Sequence, residues 1–224
     1  NLKSDKTGAR DLAPAAANRF ALHLMIDSEN AVDSFLNYAV NNGFDSSIVG
    51  FLNWKGAAVY SKPEDRQNDP AWASPRSWEF VDGHLKNQKL RRNPAFLRIA
   101  VAGAVGTSIA TQYTGFLQFH DQVPDWKKVR AGKMDYELPE GEDQLSFAVS
   151  TSLAFEMIDA LSRDEEEDMS GDVENLTKIV KQLPNELRIV FFKTMRRNLQ
   201  VMMKFMQYDN LSAEFKKVSK YLKR

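Results

Sequence analysis

The sequence predicts a mainly α-helical protein with a small α/β remnant at its N-terminus. Apolar residues recur with helical spacing from residue 28 onward, first in the run from Val32 to Val40. One short apolar run, ALHLMI at 21–26, has the length and composition of a buried strand. Helix start signals, such as Ser74 followed by Pro75, mark where further helices begin.

In the first half of the chain we expect five helices. The pattern that starts at Val32 ends at Gly43, a typical helix stop, and SSIVGFLNW at 46–54 is expected to form a second, short helix. Residues 55–73 contain two prolines and several charges, which indicates a loop. The helix that begins at Pro75 is expected over 75–86. Two further helices, over 93–106 and 107–122, are expected to meet near Gly106.

The second half of the chain is expected to be helical as well. Residues 123–142 resemble a loop, and an amphipathic helix is expected over 143–162. The acidic run RDEEEDMSGD, at 163–172, is typical of a solvated linker. Helices at about 173–183, 185–206 and 211–222 complete the prediction, with Pro184 in a tolerated position at the start of the second.

The amino-acid composition argues against several classes of protein. The 224 residues contain 30 Lys+Arg and 30 Asp+Glu, so the net charge is zero and a general nucleic-acid or membrane-surface binder is disfavoured. There is no cysteine, which excludes disulfides and thiolate metal sites. No apolar run reaches the roughly 20 residues of a membrane span. We therefore expect a cytoplasmic protein.

The sequence contains no complete catalytic motif. Its three histidines, His23, His84 and His120, lie far apart, so no metal site is expected and each is interpreted as a surface or satisfied core residue. GAVGTS, at 103–108, lacks the lysine of a phosphate-binding P-loop. HLMID and FEMID each end in a single aspartate, without the paired acids that a Walker B motif requires.

Arg76 stands in an unusual position. In WASPRSWEFVD, at 72–82, it falls in the first turn of a predicted helix, where the helix dipole disfavours a cation. A bound anion would resolve this conflict. The alternative is an ordinary surface arginine whose stem packs on Trp72 or Trp78.

Three stretches in this order carry a resemblance to a known family: NLKSDKTG at the start, PAAANRF about ten residues later, and SPRSWEFVD after about fifty more. The likeness continues through GFDSSIVGFLNWKGAAVY, VAGAVGTSIATQYTGFLQF and VKQLPNELRIVFF, and so covers nearly the whole chain. Together they resemble the C-terminal part of a MoxR-type AAA+ ATPase. No single one of these motifs identifies the family. Their order and spacing along the chain are much more specific to it than any one motif is.

The resemblance implies a division of the chain and a role for three residues. Residues 1–27 would be the end of the AAA+ core, 28–122 a helical lid, and 123–224 a C-terminal helical extension. Asn1 matches the sensor 1 asparagine and Arg19 the arginine finger, which are both catalytic, and Arg76 matches the nucleotide-binding sensor 2 arginine. Such cations suit phosphoryl transfer, because they face the charge that develops on the transferring group.

Each role has a simpler alternative. Arg19 would otherwise form a salt bridge, and Asn1 would be a frayed terminus. The P-loop and the Walker B acids of the family are absent from these 224 residues, and the chain does not begin with methionine. We therefore expect a fragment of a longer ATPase that is inactive by itself.

For the complete protein, the resemblance implies an ATPase with chaperone-like activity that uses ATP and Mg²⁺. It would assemble into a hexameric ring and remodel partner proteins, with a von Willebrand factor A-domain protein as one partner. No nucleic acid or membrane is expected. The rival hypothesis is a non-enzymatic helical module for protein interaction, in which the resemblance survives without nucleotide chemistry.

Overall fold

A computed structural model describes residues 13–22, 31–61, 69–139, 141, 143–162 and 169–222. Within these ranges the chain forms 13 α-helices and two short 3-10 helices, and no residue lies in a β-strand. The prediction of a mainly α protein is therefore confirmed for the described part. Of the strand expected at 21–26, only Ala21 and Leu22 are described, and they belong to neither a helix nor a strand.

The first half of the chain holds seven of these α-helices. They are α1 (Pro14–Ala17), α2 (Ala31–Asn41), α3 (Ser46–Trp54), α4 (Pro75–Lys86), α5 (Gln88–Arg91), α6 (Pro94–Val105) and α7 (Thr107–His120), with a 3-10 helix (Gly56–Val59) after α3. The four-residue α5 was missed in the sequence, since it is too short to show an apolar period.

The second half holds the other six. They are α8 (Trp126–Arg130), α9 (Asp143–Leu161), α10 (Ser170–Gln182), α11 (Asn185–Arg196), α12 (Leu199–Phe205) and α13 (Asp209–Val218), followed by a 3-10 helix (Ser219–Tyr221). Helix α8 lies inside the stretch expected to be a loop. Trp126 and Val129 bury one face of it, which a five-residue segment cannot reveal by periodicity.

The single helix expected over 185–206 is wrong. The chain breaks at Arg197 and Asn198, where α11 ends and α12 begins. Asn198 acts as the N-cap of α12, because its side chain accepts a hydrogen bond from the backbone N–H of Val201 at 3.2 Å. Because asparagine is a favourable N-cap residue, Asn198 favours the start of a new helix over the continuation of α11.

The first core, which we call the N-terminal core, is built by α2, α3, α4, α6 and α7. Its largest fully buried side chains are Leu36, Ile48, Phe51, Leu52, Trp78, Tyr113 and Phe116. Phe51 contacts the rings of Trp78 and Tyr113, with centroids 5.8 and 5.3 Å away. This aromatic centre fixes α4 against α3 and α7.

The second core, the C-terminal core, is built by α8 to α13. Its fully buried side chains include Leu153, Met157, Leu176, Val180, Phe191, Phe192, Met195, Phe205 and Leu211. A buried ion pair between Arg188 and Glu214, at 3.1 Å, ties α11 to α13.

Helix α9 joins the two cores. It packs against both α3 and α11. Ala148 belongs to the N-terminal core, whereas its neighbour Val149 belongs to the C-terminal core. The described cores therefore share one helix.

None of the helices in the described ranges combines the length and apolarity needed to cross a membrane.

Candidate functional site

The site begins with the N-terminus of α4, which is capped as the sequence predicts. The hydroxyl of Ser74 accepts a hydrogen bond from the backbone N–H of Ser77 at 3.2 Å. The Ser77 hydroxyl in turn accepts one from the Ser74 N–H at 2.7 Å, so the two serines form a capping box. Pro75 takes the first helical position. The start of α4 is therefore well defined.

Trp78 anchors this helix start in the N-terminal core. Its side chain is fully buried, and its indole N–H donates to the carbonyl oxygen of Ala58 at 2.8 Å. Arg76 lies two residues before Trp78 and is exposed. The backbone that carries Arg76 is consequently held in place, while the arginine side chain points to the protein surface.

Arg76 forms no hydrogen bond or ion pair with any residue that the structure describes. Glu79, three residues later on α4, would be the natural partner within the helix. Instead, Glu79 accepts a hydrogen bond from the Tyr38 hydroxyl at 3.3 Å. The negative charge of Glu79 is also the main cause that raises the pKa of Tyr38 above its ordinary value. Arg76 thus has no ionic partner among the described residues, although it lies at the positive end of a helix dipole.

Four other arginines of the described chain are paired with carboxylates. The pairs are Arg91 with Asp45 at 2.6 Å, Arg130 with Glu156 at 2.7 Å, Arg188 with Glu214 at 3.1 Å and Arg197 with Asp33 at 2.8 Å. Arg76 differs from these four in having no acceptor for its guanidinium among the described residues, as do Arg19 and Arg92.

A nearby helix start is already occupied by a carboxylate. Trp72 lines a cavity of about 180 Å³ that extends to the N-terminus of α7. There Asp69 accepts a hydrogen bond from the backbone N–H of Thr107 at 3.1 Å. Asp69 takes the place that an anion would need, so an anionic ligand is better received at Arg76 than at the start of α7.

Arg19 lies in the turn that follows α1. It is exposed and has no described hydrogen-bond or ion-pair partner for its side chain. Helix α1 buries no residue, and the neighbouring Phe20 and Leu22 are 57% and 68% exposed. The segment that carries Arg19 therefore presents its side chains outward.

The structure describes two of the three residues of the resemblance, Arg19 and Arg76. Asn1 lies outside the described residues. Within the described ranges, no hydrogen bond or ion pair connects Arg19 with Arg76. Their roles stay predictions.

A polar cluster was missed in the sequence; it consists of the buried Ser47 and Tyr113, the half-buried Asp45 and the exposed Arg91. Asp45 accepts hydrogen bonds from the backbone N–H of Ser47 at 3.0 Å and from Arg91 at 2.6 Å. The Ser47 hydroxyl bonds the Tyr113 hydroxyl at 2.7 Å. Burial favours a higher pKa for Asp45, but the Ser47 hydrogen bonds and the Arg91 charge lower it below its ordinary value.

His120 forms a further link between α3 and α7. Its Nε2 atom lies 2.9 Å from the Ser46 hydroxyl, and the residue is only 7% exposed. Burial lowers the pKa of His120, so the imidazole is neutral at pH 7. Among the described residues no carboxylate bonds its other nitrogen, so the pair lacks the third group of a catalytic triad. Its role is structural, as the sequence suggested for this histidine.

Asp45 did give a local signal, because an aspartate before two serines favours a helix start. Arg91, however, lies 46 residues from Asp45 in the sequence, and Tyr113 lies 66 residues from Ser47. No local pattern could indicate them.

No family model, no curated protein and no solved structure matches the chain. The resemblance to MoxR-type AAA+ ATPases therefore rests on the ordered sequence motifs.

Proposed function

We propose that this chain is the C-terminal part of an ATP-binding and ATP-hydrolysing AAA+ ATPase of the MoxR type, in which Arg76 contacts the nucleotide phosphates. The observation that supports this most is the exposed Arg76 at the capped start of α4, which has no partner among the described residues. In this proposal residues 28–122 form the lid that carries Arg76.

The physical argument concerns two sources of positive potential at one place. At the start of α4 the Ser77 N–H is taken by the Ser74 hydroxyl and Pro75 has no N–H, so the first source is the helix dipole, which attracts anions. A guanidinium at the second helical position adds a full charge and can donate two hydrogen bonds to phosphate oxygens. A terminal phosphate would thus convert an unfavourable arrangement into a favourable one.

Arg19 has a separate role in the proposal. Its exposed position, on a segment that buries no α1 residue, suits a side chain that reaches the nucleotide of an adjacent subunit. Asn1 would orient the attacking water. The motifs that hold ATP and Mg²⁺ would lie upstream, and the assembled ring would remodel a partner protein.

The test compares Arg76→Ala with Arg92→Ala in the full-length protein. Arg92 is an exposed arginine that also has no described side-chain partner, so its removal makes the same change of charge. We expect Arg76→Ala to lower ATP turnover at least about tenfold, since each lost charge-assisted hydrogen bond contributes about 1.5 to 3 kcal/mol. Arg92→Ala should keep wild-type turnover.

Equal ATP turnover in the two variants would show that Arg76 does not contact the nucleotide. A full-length reading frame without a Gly-x₄-Gly-Lys-Ser/Thr motif upstream of Asn1 would contradict the ATPase as a whole.

One observation favours the second candidate, a non-enzymatic interaction module. Between α4 and α6 lies a mostly apolar groove of about 430 Å³, lined in part by Phe80, Gly103 and Ala104. Phe80 is 56% exposed, and Phe96 and Ile99 on α6 are 61% and 67% exposed. An exposed apolar surface of this kind is typical of a protein interface. A module of this class would leave ATP unbound and unhydrolysed.

A further inference from the structure

A second cationic site lies far along the chain from Arg76. It is a cavity of about 250 Å³ where α2 meets the last turn of α11. We call it the α2/α11 cavity, and it is lined by Asp33, Asn37, Lys193, Arg196, Arg197 and Leu222. Three of these six residues are cations, so the cavity suits a negatively charged ligand.

The charges around the α2/α11 cavity do not balance. Asp33 is its one lining carboxylate, and its Oδ1 is bound to Arg197 at 2.8 Å. Arg196 donates to the neutral carbonyl oxygen of Leu222. Neither Lys193 nor Arg196 forms an ion pair with any residue in the described ranges. Among the described residues, these two positive charges therefore have no carboxylate partner at the cavity.

Arg197 lines the α2/α11 cavity with a positively charged side chain that is held in place by hydrogen bonds. Its side chain is only 7% exposed, and its guanidinium donates to the Asp33 carbonyl oxygen at 2.9 Å and to Asn37 at 2.8 Å. Its Nε–H is buried and has no acceptor among the described residues. A buried donor without an acceptor is costly, and it needs an explanation.

A helix dipole accounts for only part of this arrangement. Lys193 and Arg196 lie in the last turn of α11, where cations are favourable. They are three residues apart, however, and like charges on one helix face repel each other. The dipole explains neither the cavity between them and α2 nor the unsatisfied donor of Arg197.

We propose that the α2/α11 cavity binds a phosphate-type oxyanion, with Lys193 and Arg196 as its main ligands. The anion is either free phosphate or the phosphoryl group of a larger molecule. On the α2 side the Asn37 side-chain amide can donate to the anion, whereas the Asp33 carboxylate cannot, so a bound anion would connect α2 with α11 through Asn37. This site is independent of the role proposed for Arg76.

The test measures thermal unfolding and calorimetric binding of the full-length protein with inorganic phosphate, against chloride at equal ionic strength. Phosphate that binds the folded state raises the unfolding temperature by mass action. Lys193→Gln/Arg196→Gln should weaken phosphate binding at the cavity at least about tenfold, because it removes both unpaired charges. The control is Lys181→Gln/Arg92→Gln, which makes the same charge change at exposed positions and should bind as the wild type does.

Three results would overturn the proposal. They are equal unfolding temperatures in phosphate and chloride, an unchanged phosphate response in Lys193→Gln/Arg196→Gln, and a response that Arg76→Ala alone abolishes. Phosphoserine serves as the second probe. Tighter binding of phosphoserine assigns the site to a phosphorylated molecule, and tighter binding of inorganic phosphate assigns it to the free anion.

Discussion

At the scale of single residues, burial determines the protonation state of the polar cluster in the N-terminal core. Burial raises the pKa of Tyr113 well above its ordinary value, so its hydroxyl stays neutral and can bond Ser47. Burial lowers the pKa of His120, although Asp45 and Asp121 act in the opposite direction and Arg91 adds to the lowering. The folded protein thus keeps a neutral imidazole where the unfolded chain binds a proton more readily.

This difference predicts how stability depends on pH. A lowered folded-state pKa means that the contribution of His120 is complete above its ordinary value of 6.5 and is lost as the pH falls through the folded-state value. We expect His120→Gln, which cannot titrate but can still bond Ser46, to show a smaller loss of unfolding free energy from about pH 7.5 to about pH 5.5.

Denaturant titrations at several pH values test this expectation. Above about pH 7.5 the difference between wild type and His120→Gln should be constant, because the histidine is neutral in both the folded and the unfolded state. A variant whose stability falls with acid as steeply as that of the wild type would show that His120 is not the titrating group.

At the scale of helices and their junctions, Gly106 illustrates a feature that only glycine can supply. It separates α6 from α7 with φ 86° and ψ 155°, a conformation that is essentially restricted to glycine. A Cβ atom at this position would lie 2.9 Å from the carbonyl oxygen of Ala71. The junction therefore depends on both the backbone angle and the close approach of the 69–72 segment.

Gly106→Ala should consequently lower the free energy of unfolding by about 3 kcal/mol, the upper end of the cost of such strain. The matched control is Gly103→Ala in α6, where an added Cβ meets nothing within 4 Å. That substitution should be neutral or stabilise the protein by up to about 1 kcal/mol, because alanine is the better helix former. Chemical denaturation of both variants checks the pair, and equal stabilities would contradict the assigned role of Gly106.

The helices that could be predicted from sequence are those with local signals. Ser74 and Pro75 gave the start of α4, and Gly106 gave the break between α6 and α7. Thr107 is the first residue of α7, and Gly106 holds the N-cap position. Glycine needs no side-chain oxygen there, because Asp69 supplies the acceptor from a distant segment.

The break between α11 and α12 could not be predicted, because part of its cause is far away in sequence. Arg197 is held by Asp33 and Asn37, and Asn41 donates to the Arg197 carbonyl oxygen at 2.7 Å. The candidate site has the same limit. Its position follows from SPR, whereas the hydrogen bond between Tyr38 and Glu79, which lie 41 residues apart, has no local signal.

At the scale of the whole molecule, the two cores are not separable units, because α9 contributes to both. The boundary suggested by the sequence, between 122 and 123, leaves α9 with the C-terminal part, although Ala148 is buried in the N-terminal core. We therefore expect the described helices to unfold together in one cooperative transition.

Leu153→Ala provides the test of this coupling. Leu153 is fully buried in the C-terminal core, so its truncation should cost about 2 to 5 kcal/mol. Hydrogen exchange should show the same loss of protection in α3 and α11, although α3 belongs to the other core. Leu199 is 78% exposed, so Leu199→Ala should change neither the free energy of unfolding nor the protection of α3 and α11. Loss confined to α10 to α13 would show that the cores unfold separately.

Helix α9 also has a mechanical consequence. Both cores press on the same stretch of this helix: a Cβ added at Gly50 of α3 would lie 3.5 Å from the Thr151 Cβ, and the neighbouring Ser150 hydroxyl donates to the Leu187 carbonyl oxygen of α11 at 2.8 Å. A displacement of α3 would therefore be passed directly across the width of α9 to α11, with no loop between them to absorb it.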